Sequence, residues 1–257
     1  MILAVNIGNT NIRAATDDGR DTVFYASEAL SADNMIEQIE SGLGSIWSQI
    51  QGSIVATVVP SQTDMMVTAL QDKTGHPVRR IDIKNCGTLR VNRYEGLLGE
   101  DRVVCCMRAL QKFSPPLIVI DFGTATTINI VNSGSEFLGG AILIGLQTGL
   151  DALNRNTAQL PPADTIPGEI PFIGKNTIEN LHSGAVIGLA CATEGFIRRI
   201  EEDLGKVSVI VTGGHAPVIL PHCRFNYVYE PKLLLEGLLS LCGVPESSLD
   251  VLKEPKA

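Results

Sequence analysis

The sequence predicts an α/β fold made of two related halves, on three observations. The stretch Leu117–Thr127 reads L-I-V-I-D-F-G-T-A-T-T. Its four apolar residues, three of them β-branched, are typical of a strand buried on both faces. The run ends in Asp121 and breaks at Gly123, with Thr124, Thr126 and Thr127 close behind. A carboxylate at the tip of a buried strand, followed by a glycine turn, suits a phosphate and its cation. The glycine lets the backbone approach the anion, amides and hydroxyls donate to its oxygens, and the acid faces the metal. The second observation is that the chain opens on a variant of the same phrase, Ile2-Leu3-Ala4-Val5-Asn6-Ile7-Gly8-Asn9-Thr10. The third is that predicted strands and helices follow both copies in the same order. One copy alone reads as a strand and an ordinary turn; two, each opening about half of the chain, point to a duplicated fold with a nucleotide in the cleft between.

Taken in order, Ile2–Ile7 is a buried strand and Asn11–Thr16 its hairpin partner. Asp18-Gly19 turns into a third strand over Asp21–Ala26. Ser31–Ile50 carries helical spacing through Met35, Ile36, Ile39, Leu43, Ile46 and Trp47, with Ser31 as candidate N-cap. Ser53–Val59 is a strand stopped by Pro60, Ser61–Lys73 a helix, and Pro77–Ile83 a strand. This is β-β-β-α-β-α-β, the order of an actin-like (ribonuclease H-like) half. Asn85–Leu98 reads as a loop with a short strand at Leu89–Asn92, and Gly99 opens a helix running to Lys112. Ser114-Pro115-Pro116 ends it and divides the chain into halves 1–114 and 115–257. The second half repeats the scheme: strands at Leu117–Asp121, Thr126–Val131 and Glu136–Leu143, a helix over Leu146–Thr157, then a proline-rich loop over Leu160–Gly174. A long helix over Asn176–Asp203 follows, then a strand at Val207–Val211 and a leucine-rich helix over Pro231–Cys242.

With 44% hydrophobic and 19% charged residues, the 257-residue chain is of ordinary globular composition. A formal net charge of −8 without a basic stripe argues against nucleic-acid binding. It leaves room for anionic small molecules held by a local basic group. The six cysteines show no C-x-x-C spacing, which suits a reducing compartment and predicts no zinc site. Met1 leads straight into a strand, and no apolar run approaches about 18 residues. The expectation is a cytoplasmic protein that does not engage a membrane.

Gly99-Glu100-Asp101-Arg102 has two readings. Acids at a helix start can simply cap it. In a phosphotransferase, Asp101 would instead take a proton from a substrate hydroxyl and Arg102 would grip a substrate carboxylate by a forked hydrogen bond. Thr212-Gly213-Gly214 resembles an adenosine-side turn, and a plain strand-to-helix turn explains it nearly as well. Gly174-Lys175-Asn176-Thr177 lacks the first glycine of a Walker motif, so Asn176 or Thr177 is read as a helix cap. The four histidines (His76, His182, His215, His222) show no ligand spacing.

Together these residues resemble one family, the type III pantothenate kinases of the actin-like (ASKHA) superfamily. The resemblance rests on N-I-G-N-T (Asn6–Thr10), V-V-P (Val58–Pro60), G-E-D-R (Gly99–Arg102), D-F-G-T-A-T-T (Asp121–Thr127), G-G-A-I (Gly139–Ile142), G-K-N-T (Gly174–Thr177), S-G (Ser183-Gly184), T-G-G (Thr212–Gly214) and L-L-L-E-G-L (Leu233–Leu238). It implies ATP-dependent phosphorylation of pantothenate, the first step of coenzyme A synthesis, by a homodimer using Mg2+ with ATP and a monovalent cation, K+ or NH4+. By position it implies Asp101 as proton acceptor and pantothenate contacts from Gly99, Glu100, Asp101, Arg102, Thr177 and Asn92. ATP contacts are implied for Asn6, Ile7, Gly8, Asn9, Thr10, Asn11, Ile12, Arg13 and Thr124, with Asp121 binding the monovalent cation.

Three positions depart from the family pattern. Asn6 stands where aspartate is usual, removing one negative charge near the magnesium and so weakening metal binding. Asn92 stands where a substrate-contacting tyrosine is usual, with Tyr94 close by, and Ile144 replaces a proline after Gly139–Ile142. Two readings stay open: a working kinase with altered metal demand, or a paralogue acting as a binding or regulatory protein.

Overall fold

The computed structural model describes residues 1–8, 10–25, 31–57, 60–81, 83, 86–92 and 94–243. Asn9, Ala26, Val58 and Val59, which carried sequence expectations, lie outside the described residues. In chain order the elements are β1 (Ile2–Ile7), β2 (Asn11–Thr16), β3 (Asp21–Tyr25), α1 (Ala32–Leu43), β4 (Gly52–Thr57), α2 (Pro60–Thr74), β5 (Val78–Arg80) and α3 (Glu100–Lys112). They continue with β6 (Leu117–Phe122), β7 (Ala125–Val131), β8 (Phe137–Ile144), α4 (Leu146–Asn156), α5 (Thr177–His182), α6 (Gly188–Leu204), β9 (Ser208–Thr212), α7 (Ala216–Ile219), β10 (Val228–Tyr229) and α8 (Leu233–Leu241).

Two sheets of the same topology result. The first runs β3-β2-β1-β4-β5 and the second, read in the matching direction, β8-β7-β6-β9-β10. In each, the first three strands form an antiparallel meander and the first and fourth pair in parallel. The duplication expected from the two glycine phrases is therefore present strand for strand. Leu117–Ile120 is fully buried, as a strand covered on both faces must be.

Caps and glycines set the helix limits. Ser31 accepts from the Asn34 amide at 3.2 Å and starts α1. The single helix expected to Ile50 stops at Leu43, because Gly44 takes φ of +62° and the chain continues as a 3-10 turn over Gly44–Gln49. The long helix expected over Asn176–Asp203 exists as α5 and α6 joined by a π-helical turn at Ser183–Ile187. The strand expected at Pro77–Ile83 shrinks to β5, and the one expected at Leu89–Asn92 to a single bridge at Arg90.

The chain divides into two compact units, one of Met1–Lys112 with the segment from Lys232 onward, the other of Phe113–Pro231. This differs from the linear division at 114/115 by two residues at the boundary and, more importantly, in that α8 returns to the first unit, against α3, β1, β2 and β4. Leu3, Val5, Ile7, Ile12 and Ala14 form one core with Ile36, Ile39, Met66 and Leu70 of α1 and α2. Since strand side chains alternate, α8 covers the opposite face of this sheet. A buried ion pair holds it there. Arg108 Nε and Nη2 both donate to Glu236 Oε2, at 3.1 and 2.9 Å, and Lys112 Nζ reaches the same oxygen at 3.3 Å. Gly237 makes the approach possible, since a Cβ there would meet Val104 Cγ1 at 2.6 Å. Glu236→Ala, which strands a buried arginine, is expected to lower stability by roughly 3–5 kcal/mol, and the joint change Arg108→Met, Glu236→Leu to recover most of it. Urea denaturation reads both, and an unchanged midpoint for Glu236→Ala would refute the role given to the pair.

Candidate active site

The first unit builds its site where parallel strands end, the usual place for a ligand in a sheet of this kind. Ile7 of β1 pairs with Thr57 of β4 at those tips. The Thr57 N–H donates to Glu100 Oε2 at 3.0 Å, which ties the first turn of α3 to the sheet edge. Asp101 follows, and its Oδ1 accepts from the Arg102 N–H at 2.8 Å. This carboxylate folds back over Gly99: a Cβ at that position would lie 2.5 Å from Asp101 Oδ1. Arg102 is buried, with the Tyr94 ring centre 5.8 Å from its Cζ and its Nη1 3.5 Å from the Tyr94 hydroxyl. Tyr94 is thus the tyrosine placed at Arg102, while Asn92 is exposed.

The two acids differ in what holds them. Burial raises the Glu100 pKa first of all, opposed by the Thr57 amide, and Asp101 raises it further. For Asp101 burial again leads upward, against the Arg102 amide and the guanidinium charge. Glu100 spends one oxygen on the sheet edge. Asp101 combines burial with a raised affinity for a proton, the character of a general base.

On the sheet face opposite α1 and α2, Asn6 and Arg13 are cross-strand partners of β1 and β2. Asn6 is 8% exposed, and both its Oδ1 and Arg13 Nε are buried with no hydrogen-bond partner among the described residues. The β1–β2 turn is closed by Gly8 N–H donating to the Asn11 carbonyl at 2.9 Å. Thr10 is exposed, whereas the Ile7 and Ile12 side chains lie in the core and leave only main chain for a ligand.

In the second unit Asp121, next to last in β6, lies beside two glycines. A Cβ on Gly213, whose φ is +103°, would come within 2.5 Å of Asp121 Oδ1, and one on Gly123 within 3.2 Å. The turn is held on two sides. His215 donates its N–H to the Phe122 carbonyl at 2.9 Å and places Nδ1 3.3 Å from the Gly123 carbonyl. Thr148 Oγ1 donates to the Thr124 carbonyl at 2.8 Å, and a Cβ on Gly145 would collide with that oxygen at 2.1 Å. Thr124 is exposed. Thr126, expected to offer its hydroxyl, is fully buried because strand alternation turns it inward. Asn176, rather than Thr177, caps α5, accepting from the Glu179 N–H at 3.0 Å. Thr177 is exposed and lines a largely apolar cavity of about 720 Å³ with Ile144, Leu153 and Leu181. His215 is a residue that spacing does not single out, although it directly follows Thr212-Gly213-Gly214. All six cysteines are free, and burial pushes the Cys106 thiol up to about 12, so it is inert near neutrality. Among the described residues no helix is long and apolar enough to cross a membrane.

The sequence profile of the type III pantothenate kinases matches residues 2–199. The chain belongs to this family. A type III pantothenate kinase of Thermus thermophilus is 36% identical over 252 residues, covering 94% of this chain and 98% of the relative. That of Rhodococcus jostii is 33% identical over 255 residues, covering 93% of each. Two solved structures share the fold. A conserved protein from Campylobacter jejuni, named as a candidate Baf family transcriptional activator, is 19% identical with a TM-score of 0.61, over 94% of this chain and 97% of that one. The archaeal actin homologue Ta0583 is 10% identical with a TM-score of 0.52, over 95% and 99%. The fold is actin-like.

A pantothenate kinase family fold implies a divalent metal with ATP. Between Asn6 and Arg13 no residue carries a carboxylate, so this turn offers a divalent cation neutral oxygens only and fits one poorly. The second turn is different in kind, since it carries the Asp121 carboxylate between two glycines.

The raised pKa of Asp101 carries a stability consequence. The folded state binds its proton more tightly than the unfolded chain does. The contribution to stability is therefore full below the unfolded pKa of about 3.9 and lost as pH rises through the raised folded value. Asp101→Asn is expected to be more stable than the parent at neutral pH, by a margin that closes on acidification. Urea midpoints across a pH series check the slope, and a margin that widens toward acid would contradict it.

Proposed function

We propose that this chain phosphorylates pantothenate on its primary hydroxyl with ATP, giving 4'-phosphopantothenate and ADP, the first step of coenzyme A synthesis. The observation that carries the reading is the Gly99–Arg102 corner. There a half-buried, proton-avid Asp101 stands beside a buried Arg102, and Glu100 ties the first turn of α3 to the strand tips. Asp101 takes the hydroxyl proton as the substrate oxygen attacks the γ-phosphorus. The bond from that phosphorus to the ADP oxygen breaks, and ADP leaves. Arg102, forked and always charged, holds the pantothenate carboxylate, with Tyr94 packed on its guanidinium. Gly99 keeps the corner open, and Thr177 and Asn92 complete the substrate set by family position.

Thr124 and the turn Asn6–Arg13 hold the nucleotide. Asp121 holds K+ or NH4+, which supplies fixed positive charge as negative charge gathers on the transferred group. The same reading makes the protein a cytoplasmic homodimer.

An ADP-release assay with pantothenate, ATP and K+, with and without Mg2+, tests the proposal. Asp101→Asn is expected to lower kcat by about 10²- to 10⁴-fold with little change in KM for pantothenate. Arg102→Lys is expected to raise that KM roughly tenfold, having lost the fork. Turnover that survives Asp101→Asn removes the base assignment. A parent that binds pantothenate yet releases no ADP is the behaviour of a binding protein and overturns the proposal.

A further inference from the structure

The two buried, unpartnered atoms of the first turn sit on cross-strand neighbours that share one sheet face. Buried polar atoms are normally satisfied, so two orphans side by side call for a ligand. Their chemistry narrows it. Arg13 can only donate. Asn6 can do either, because a half-turn of its amide exchanges oxygen and nitrogen. Both side chains can therefore serve one ligand together only if it accepts, as an anionic oxygen does. An aspartate at position 6 would behave differently: being acceptor-only, it would pair with Arg13 or hold a cation.

Position supports the same conclusion. The Asn6 Nδ2 lies 4.0 Å from where a Gly8 Cβ would be, so the amide faces the bare glycine turn. The segment Asn6–Arg13 carries one arginine and no acid, and no ion pair to Arg13 is formed among the described residues. The nearby Glu100 and Asp101 carboxylates are each engaged by a backbone N–H.

Resting on the nucleotide reading of this turn, we infer that the chain takes a terminal phosphate oxygen of ATP directly on Arg13 and Asn6, with no divalent cation on residue 6. Asn6 and Arg13 act as a pair, the guanidinium supplying the charge a metal supplies elsewhere. The ligand class is a polyphosphate, with the nucleoside adding its own contacts.

Calorimetric titration of the full chain with ATP, and separately with inorganic tripolyphosphate, in EDTA and in Mg2+, tests this without any turnover. The parent is expected to bind ATP in EDTA within about threefold of its affinity in Mg2+. Arg13→Ala should weaken metal-free binding at least about tenfold, the loss of one charge-assisted bond, with Arg13→Lys recovering part of it. Asn6→Asp should weaken metal-free binding by a similar factor and make it recoverable with Mg2+. Tripolyphosphate should follow the same order in all variants, and circular dichroism melts show that each is folded. Parent binding that appears only with Mg2+ overturns the inference and leaves the nucleotide reading standing. Binding in neither buffer overturns both. Metal-free binding unchanged in folded Arg13→Ala also overturns the inference.

Discussion

The hydrogen bond from the Thr57 N–H to the Glu100 carboxylate is the constraint on which the first unit's chemistry depends. Thr57 is the last residue of β4, where the parallel strands end, and its amide donates to a group outside the sheet. A helix start also has unpaired donors and prefers a negative charge beside it. One carboxylate meets both demands, and the first turn of α3 is thereby fixed at the strand tips. Asp101 and Arg102 inherit their places from this tie. Their burial follows, and with it the raised proton affinity of both acids. The capping reading and the proposed catalytic one are thus compatible, since it is Glu100 that accepts from the Thr57 amide.

The duplication has a second consequence. Both sheets carry a glycine turn after their first strand, at Gly8 and Gly123, and the same strand order surrounds each. Their side chains have diverged to opposite charge. The first turn presents an amide and an arginine, the second an aspartate approached by two glycines and steadied by His215 and Thr148. A neutral-to-positive turn seeks an anion and a negative one seeks a cation. The two turns share their glycine and strand context and differ in the side chains around it.

Much of this was legible in the sequence because it is local. Apolar runs marked β1, β4 and β6, Ser31 marked a helix start, and the motif Gly99–Arg102 fell at the head of α3. What escaped depends on contacts or on backbone choices with weak signatures. The break at Gly44 is a glycine inside an otherwise periodic stretch, where periodicity alone argues for continuing. The π-helical turn at Ser183–Ile187 adds one residue to a turn inside a continuous helical stretch, with no glycine-proline break to mark it. Thr126 looks like its neighbours in a run of hydroxyls, and only the alternation of β7 sends it into the core. The role of His215 depends on the Gly123 carbonyl, which is distant in sequence and lies in the β6–β7 turn.

The return of α8 shows most clearly why a linear reading stops short. A division at the Pro-Pro pair treats the chain as two consecutive domains, and composition gives no reason to do otherwise. Yet Arg108 is an arginine in the middle of an apolar helix face, and such a residue is buried only if an acid is brought to it. Among the described residues the one buried acid is Glu236, beside the glycine whose missing Cβ lets α8 approach α3. These two features are separated by the whole second unit, so neither signals the other locally. Their meeting means that the helix bearing Asp101 at its start is braced near its far end by residues from the end of the chain. The first unit is thus assembled from two stretches that lie on either side of the second in sequence.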